Sequence, residues 1–333
     1  MLLRENLREH PAAQAWLATG PNRVAPKMIA VFKGWNQSEK SGVYRLAGVG
    51  PGGSAVIAKR CPLHTAAVER SIYEEFLPYL PLPSVGYYGS VEEPDGRSQW
   101  LFLEEAEGDL YSPQNNEHRA VAARWLAAAH NTSRRLGREM RLPDRGPKQY
   151  LQLMRSLRAK MLEHFTNPDL PSGGVAVLQT VVEQCDVLEG HWSEIEQICD
   201  GMPRTLVHGD FVVRNLRLRP SADGPVLLVF DWEFAGWGVP STDLAQHSGY
   251  TASPDLAVYR VCLADWPMLS NKAQVESLAA CGRFFRLLDE LAWASMGLMY
   301  GRPDNLVNPI GNCSACGQRM AQALSEAGWI THS

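Results

Sequence analysis

Acidic and amide side chains follow two short apolar segments of the chain, and such groups can bind a metal ion or accept a proton. The first segment, Leu206-Val207, leads into His208-Gly209-Asp210, and Asn215 lies in the same loop. The second, Val226–Phe230, ends at Asp231-Trp232-Glu233. Because both segments are predicted strands that end at these side chains, we expect Asp210, Asn215 and Asp231 to converge. In phosphoryl transfer one carboxylate orients the attacking hydroxyl and accepts its proton, and carboxylate and amide oxygens bind Mg²⁺.

The order of these motifs resembles that of the aminoglycoside phosphotransferase and choline kinase-like family, a branch of the protein-kinase-like fold. The resemblance runs from about residue 28 to the C-terminal helices and rests on His208-Gly209-Asp210 with Asn215, Asp231-Trp232-Glu233 and Asp243-Leu244-Ala245. It implies that Asp210 is the catalytic base, that Asn215 and Asp231 are metal ligands, and that Asp243 braces the catalytic loop. It also implies ATP as the phosphoryl donor, with GTP as the open alternative, Mg²⁺ as the metal, and a small-molecule hydroxyl acceptor.

One position departs from the family pattern. Many relatives have a polar or basic residue two positions after the catalytic aspartate, where it contacts the transferred phosphate, but this chain has Val212. Arg214 in the same loop either compensates or points to solvent. The departure favours a second hypothesis, a nucleotide-binding pseudokinase that acts as a regulator or scaffold. A protein kinase is disfavoured, because the sequence has no DFG motif, no APE-like segment and no evident activation loop between Asp231 and Asp243.

The resemblance also requires a lysine on a strand of the smaller lobe to bind the ATP phosphates. Lys59 fits this role, since it ends the predicted strand that begins at Ser54. A carboxylate on the following helix, predicted over about residues 65–79, holds such a lysine in place. Glu69 and Glu74 are the two candidates, and Glu69 is preferred because it lies in the first half of that helix.

Two further nucleotide contacts are expected in the smaller lobe. Residues 33–38 and 40–42 contain the small and polar side chains that let a backbone approach phosphates, although no GxGxxG motif occurs. The backbone from Glu104 to Ala106 follows a predicted strand and is expected to meet the adenine.

The elements that must position these residues differ between the two parts of the chain. Residues from about 28 to 60 and from Val85 to Glu104 show strand patterns with turn residues between them. Helical periodicity dominates about 116–200 and 273–300, with a short β segment between Thr205 and Phe230. The pattern predicts an α+β, bilobal architecture, with a small antiparallel β lobe that has one main helix and a larger, mostly helical lobe with a short β insert. The resemblance implies that this is the protein-kinase-like fold. The predicted boundaries are 1–103 for the nucleotide-binding lobe, including a leading helix over about residues 1–20, 104–108 for a hinge, and 109–333 for the catalytic and acceptor-binding lobe.

Composition excludes several other classes of protein. The 333 residues have a formal net charge of −4, so no overall basic field favours nucleic acid. No apolar run approaches the roughly 20 residues of a membrane-spanning helix. The N-terminal Leu2-Leu3 is interrupted at once by charged residues, so export is not expected, and seven cysteines fit reduced thiols in the cytoplasm. Cys313 and Cys316 form a single CxxC, and a helical position is preferred to a zinc site because structural zinc takes four ligands.

The acceptor is not identified by the sequence. Aromatic side chains beside carboxylates in the C-terminal region suit a cationic or sugar-bearing acceptor; they are Trp232, Trp237, Trp266 and Trp293 with Asp265, Asp289 and Glu290. The aromatic residues are also typical of a helix face packed in the core, and this is the preferred interpretation. The acidic residues are typical of a solvated face.

Overall fold

The computed structural model describes residues 1–33, 41–136, 141–247, 249–269, 271–300 and 305–330. The chain divides into two compact units: an N-terminal unit of Met1–Tyr111 with Arg214–Ala235, and a C-terminal unit of Ser112–Val213 with Gly236–Ser333. The sequence pattern assigns 214–235 to the larger lobe, whereas the structure groups this segment with the N-terminal unit. The physical reason is strand pairing, since Leu218 of this segment pairs with Asp109.

A six-stranded antiparallel sheet forms the frame of the N-terminal unit. Its strands lie in the order β1, β2, β3, β4, β6, β5, and their bounds are Leu2–Leu3, Met28–Lys33, Gly42–Ala47, Val56–Pro62, Ser98–Glu104 and Tyr87–Glu92. Leu2 and Leu3 pair with β2, so the predicted helix over residues 1–20 is wrong at its start. Helix α1 (Pro11–Ala18) begins instead at Pro11, where the His10 side chain accepts a hydrogen bond from the Ala12 N–H.

Alternation along β4 sends successive side chains to opposite faces of this sheet. Val56 and Ala58 belong to the core that α1 covers, in which Trp16 meets Phe102 edge to face at 5.3 Å. Cys61 packs instead with Ala66 of helix α2 (Leu63–Ser71). Lys59 has the parity of Cys61, so the pleat places its amine on the face that α2 covers.

The helix predicted over about residues 65–79 is confirmed in position but not in form. Helix α2 is continued by a π-helical turn over Ile72–Phe76 and a 3₁₀ turn over Leu77–Tyr79. Pro78 has no N–H to donate, which accounts for the end of the regular ladder.

A second, three-stranded sheet completes the N-terminal unit. Strand β10 (Leu216–Arg219) pairs antiparallel with β11 (Val226–Val229) and with β7 (Asp109–Leu110). Its register sets Leu216 opposite Val229, and the Phe230 N–H donates to the Asn215 carbonyl at 3.2 Å. This pairing therefore brings Asn215 beside the residue that precedes Asp231.

The C-terminal unit is mostly helical. Its helices are α3 (Asn116–Leu136), α4 (Pro147–Glu163), α5 (Gly174–Gly190), α6 (Trp192–Cys199), α7 (Leu256–Cys262), α8 (Lys272–Tyr300) and α9 (Val307–Glu326). A small sheet joins β8 (Asp144–Arg145), β12 (Gly236–Gly238) and β9 (Thr205–Val207). None of the helices in the described ranges combines the length and apolar composition of a membrane span.

The CxxC pair lies on α9, as the helical interpretation predicts. Cys313 and Cys316 are both free and buried. Burial raises the pKa of the Cys313 thiol to about 12 and that of Cys316 to about 11. Both side chains therefore act as small apolar groups of the core.

A glycine on α8 allows the helix to pack closely against the turn that contains Asp243. The 3₁₀ turn Pro240–Asp243 packs against α8 at Gly282. A Cβ added to Gly282 would lie 1.8 Å from the Ser241 carbonyl oxygen. The position of Asp243 thus depends on the absence of a side chain at Gly282.

Gly282→Ala should lower the free energy of unfolding by about 3 kcal/mol, because the helix or the turn must move to admit the methyl group. The measurement is urea denaturation of parent and variant. Gly311→Ala on α9 is the matched control, since nothing lies within 4 Å of its added Cβ. That variant should be neutral or more stable by up to about 1 kcal/mol. Equal stability of the two variants would contradict this account of Gly282.

Candidate active site

A pocket of about 830 Å³ opens in the N-terminal unit. Its size is typical of small-molecule sites. Lys59, Glu69, Asp231 and Glu233 lie along one part of its wall, and the backbone from Leu103 to Gly108 lies along another. Residues 34–40, which hold most of the predicted phosphate-covering loop, lie outside the described residues. Lys33 and Ser41, on either side of them, both line the pocket.

Lys59 is the centre of the charged part of this pocket. Its ammonium group is buried and forms ion pairs with Glu69 Oε1 and Asp231 Oδ1, while Glu233 Oε2 lies 3.8 Å from Nζ. Burial alone would lower the pKa of Lys59, but Asp231, Glu69 and Glu233 together outweigh burial and raise that pKa well above its ordinary value. Lys59 is therefore a fixed positive charge at neutral pH.

The structure pairs Lys59 with Glu69 rather than with Glu74. Glu69 is 0% exposed, and its second oxygen, Oε2, has no hydrogen-bond partner among the described residues. Burial raises the pKa of Glu69 to about 7, against the opposing effect of the Lys59 charge. Glu74 lies at the surface, where it accepts a hydrogen bond from the Tyr87 hydroxyl at 3.1 Å.

The donor set beside Lys59 fits a hard divalent cation. Asp231 has a φ of +68°, a left-handed backbone that non-glycine residues adopt at a cost. Carboxylate oxygens of Glu69, Asp231 and Glu233 can approach within 4.8 Å of one another, and carboxylate oxygens are ligands that Mg²⁺ accepts. Asn215 is buried at the end of the 3₁₀ turn Val213–Asn215, outside the residues that line the pocket.

Glu233 was not among the predicted site residues. It lies two positions after Asp231 on the 3₁₀ turn Trp232–Phe234. Both side chains line the pocket, so the acidic pair in Asp231-Trp232-Glu233 is the available sequence signal.

The predicted adenine contacts also line this pocket. Ala106 lines the pocket, as do Glu104 and Glu105. The Glu104 carboxylate is already bound: Oε2 accepts from the Gly86 N–H at 2.9 Å, and Oε1 pairs with Arg219 at 2.6 Å. Glu104 therefore fixes the backbone of this segment, and the contact of the segment with adenine stays a prediction.

The predicted catalytic loop belongs to the C-terminal unit and is braced by Asp243. The Asp243 carboxylate accepts from the His208 N–H at 2.7 Å and from the Gly209 N–H at 3.0 Å. Gly209 has a φ of +74°, which a side chain would strain. The His208 ring accepts from the Asp210 N–H at 3.3 Å. Asp243 and His208 thus hold the loop in shape, the structural positions that the sequence pattern predicts for them.

Asp210 meets an unpredicted partner. Arg286 Nη1 of α8 donates to Asp210 Oδ1 at 2.5 Å, and both side chains are buried. No motif near Asp210 signals this pair, because the two residues are 76 positions apart. Val212 is buried, and its backbone forms a bridge with Thr251. The predicted convergence of Asp210 with Asn215 and Asp231, which belong to the other unit, stays a prediction.

The candidate acceptor residues divide between core and ion pairs. Trp232, Trp237 and Trp266 are buried, which confirms the core interpretation for them. Asp289 is not a solvated residue: it accepts from Tyr150 at 3.0 Å and pairs with Arg145 at 3.1 Å.

The chain is similar to known proteins in sequence and in fold. The model of the phosphotransferase enzyme family matches residues 43–268. No curated protein matches significantly. Among solved structures, the GDP complex of wild-type aminoglycoside 2′-phosphotransferase-IIIa is 12% identical, covering 94% of this chain and 99% of that one, with a TM-score of 0.61. A choline kinase from Cryptosporidium parvum Iowa II is 10% identical, covering 91% of each chain, with a TM-score of 0.55.

A spectinomycin phosphotransferase in complex with ADP and spectinomycin is also similar. It is 8% identical, covering 90% of this chain and 94% of that one, with a TM-score of 0.56. At these identities the likeness shows the fold, and it confirms the predicted α+β, protein-kinase-like class. The family match confirms the resemblance drawn from the motifs.

Lys59→Met should destabilise the protein, and the loss should grow with pH. Without the ammonium group, burial raises the pKa of Glu69 beyond the value of about 7 that it has in the pair. The folded variant then retains a proton that the unfolded chain, with an ordinary Glu pKa of 4.5, releases. Rising pH therefore favours unfolding until it passes the folded-state pKa, at up to about 1.4 kcal/mol per pH unit.

The measurement is the free energy of unfolding in urea, for parent and variant, at about pH 6 and about pH 8.5. Lys59→Met combined with Glu69→Gln is the control, because an amide does not titrate and most of the added loss at high pH should vanish. An equal loss for Lys59→Met at both pH values would show that Glu69 does not depend on Lys59 for its charge.

Proposed function

The chain belongs to the phosphotransferase enzyme family, and we propose that it transfers the γ-phosphoryl group of ATP, with Mg²⁺, to a hydroxyl group of a small molecule. The observation that carries this proposal is the buried Lys59, held between Glu69 and Asp231 on the wall of a nucleotide-sized pocket. A lysine and an acidic metal ligand in one pocket are the parts that a triphosphate requires. The proposed lobes are 1–103 for the nucleotide, 104–108 as the hinge and 109–333 for catalysis and the acceptor. Free cysteines are consistent with activity in the cytoplasm.

The nucleotide is proposed to bind along the pocket wall, with its phosphates near Lys59 and its base near the backbone segment that ends at Gly108. The permanent charge of Lys59 offsets that of the phosphates, and the backbone of Glu104–Ala106 offers hydrogen-bonding groups to the base. The similar structures hold GDP in one case and ADP in another, so both ATP and GTP belong in the test.

Asp231 and Asn215 are the proposed metal ligands, with Glu233 as a further oxygen donor near Asp231. When bound, Mg²⁺ would offset the negative charge that develops on the phosphate oxygens. Lys59 pairs with Asp231, so a bound triphosphate would share the ammonium group with that carboxylate.

Asp210 is the proposed base. Its carboxylate orients the acceptor hydroxyl and takes the proton as the hydroxyl oxygen forms its bond to the γ-phosphorus. The bond between that phosphorus and the β–γ bridging oxygen breaks, and the nucleoside diphosphate departs with the electron pair. Asp210 then releases the proton to solvent, and the products are a phosphate monoester and the diphosphate.

The acceptor is proposed to be an aminoglycoside-like, amino-alcohol or sugar-like molecule with a free hydroxyl. Asp289 and Glu290 were candidates for binding a cationic acceptor, but both already pair with arginines. Neutral polyols and sugars therefore belong in an acceptor panel beside the amines.

The test incubates the protein with Mg²⁺, ATP or GTP, and such a panel, and measures the phosphorylated product by mass spectrometry. Asp210→Asn should reduce product formation by about 10² to 10⁴-fold, the usual contribution of a general base. Nucleotide binding, measured by calorimetry, should remain. A variant that matches the parent would show that Asp210 is not the base.

The pseudokinase hypothesis is the alternative, and buried Val212 is the observation that favours it. It predicts that Mg-ATP raises the melting temperature while no acceptor yields a phosphorylated product.

Glu69→Gln should weaken nucleotide turnover by about 100-fold, because Lys59 loses the charged partner that orients it. Glu74→Gln is the matched control on the same helical segment and should behave as the parent, since Glu74 contacts Tyr87 and Arg70 at the surface. The measurement is kcat/KM for ATP with an accepted hydroxyl compound. Equal losses in the two variants would contradict the assignment of Glu69.

A further inference from the structure

We infer that Arg286 of helix α8 is a positioning residue for Asp210, whose buried carboxylate it pairs with. The inference rests on the proposed function, in which Asp210 is the base. It assigns a role to a residue that no motif of the chain marks.

The contact itself is short and protected from water. Arg286 Nη1 lies 2.5 Å from Asp210 Oδ1, and the two side chains are 7% and 2% exposed. An ionised carboxylate so deeply buried is costly unless a cation or several donors compensate it. Arg286 is such a cation, and its bond to Oδ1 fixes the plane of the carboxylate.

Arg286 is itself held in place by other groups of the C-terminal unit. Its Nε donates to Glu290 Oε1 at 2.9 Å, one turn further along α8. Glu290 Oε2 in turn pairs with Arg319 of α9 at 2.5 Å. The guanidinium also lies over the ring of Trp293, 4.7 Å from its centroid. A planar group bound at two edges and one face has little freedom to rotate, so it can orient Asp210.

The charge of Arg286 is permanent. Burial alone would lower its pKa, but Asp210 and Glu290 outweigh burial and raise that pKa above the ordinary value. A cation beside a carboxylate reduces its proton affinity, yet in phosphoryl transfer the transition state is loose and positioning contributes more than basicity. The arrangement therefore holds the Asp210 carboxylate in one orientation beside a permanent positive charge.

The first test is chemical rescue. Arg286→Ala should lower kcat by about 100-fold, as expected for a misplaced reacting group, while the KM for ATP stays near that of the parent. Millimolar guanidinium chloride should restore part of kcat, because the free ion offers the same planar donors to Asp210 and the same face to Trp293. Urea, which is similar in shape but neutral, should not.

Arg283→Ala is the matched control. Arg283 lies one turn earlier on α8 and pairs with Glu326 of α9 rather than with the loop. This variant should keep the kcat of the parent with and without guanidinium. A purely structural role for Arg286 predicts loss of kcat without rescue, and that result would overturn the inference.

A second measurement covers the case in which Arg286→Ala does not fold. Arg286→Met, Asp210→Asn and the double variant form a thermodynamic cycle for unfolding in urea. Loss of the cation should destabilise the single variant, and adding Asp210→Asn should recover most of that loss, since no buried charge is left unpaired. Additive losses would show that the pair is not coupled and would overturn the inference.

Failure of the proposed function gives a different result. A parent protein that phosphorylates no compound of the panel contradicts that function, and the role of Arg286 falls with it. A parent that is active, beside an Arg286→Ala variant that is equally active, contradicts only the role of Arg286.

Discussion

The burial of one ammonium group constrains the N-terminal unit more than any other feature. A charged Lys59 is costly to bury without carboxylates around it, and its partners come from helix α2 and from the turn that follows β11. The pleat of β4 directs the amine to the face covered by α2, and α2 contributes Glu69. The register of β10 with β11 determines where Asp231 begins its turn, and the turn itself places Glu233. Strand parity, helix start and strand register must therefore all be correct for one charge to be compensated. The Lys59 ammonium group is consequently a permanent positive charge on the wall of the pocket.

Two buried aspartates of the C-terminal unit are compensated in different ways. Asp243 accepts hydrogen bonds from the His208 and Gly209 N–H groups of the loop backbone, and the buried His130 Nε2 lies 3.5 Å from its Oδ2. Asp210 is bound by a full positive charge from Arg286. Neutral donors fix a loop, because each N–H belongs to the loop itself. A guanidinium from a distant helix couples the loop to that helix, so the packing of α8 determines the position of the carboxylate. The close approach of α8 to the turn at Gly282 links both aspartates to one helix.

The predictions from the sequence that the structure confirms depend on short-range patterns. Alternating residues locate the strands, and the motif order locates Lys59 and the family. The preference for Glu69 over Glu74 follows from helix position alone, and the structure pairs Glu69 with Lys59. The differences from the sequence-based expectations arise from contacts between residues that are far apart in the chain. Leu2 and Leu3 have helical spacing with the residues that follow, but strand β2 offers them backbone partners, and tertiary pairing prevails. Strand pairing with β7 groups 214–235 with the N-terminal unit, which chain order does not show, and the lobe boundaries stay a prediction. Arg286 was missed because a pair 76 residues apart has no local signature.

Val212, two residues after Asp210, shows that one departure from a family pattern does not by itself decide whether a site is active. The family pattern has a polar or basic residue there, and its replacement by Val212 was the only feature that favoured an inactive pseudokinase. In the structure Val212 is buried and its backbone forms a bridge with Thr251, while Asp210 is paired with Arg286 of α8. The physical requirement at a buried carboxylate is a compensating charge, not a residue at a given position in the chain. The buried Asp210 is compensated without any polar side chain at Val212, because helix α8 supplies the cation from another part of the C-terminal unit.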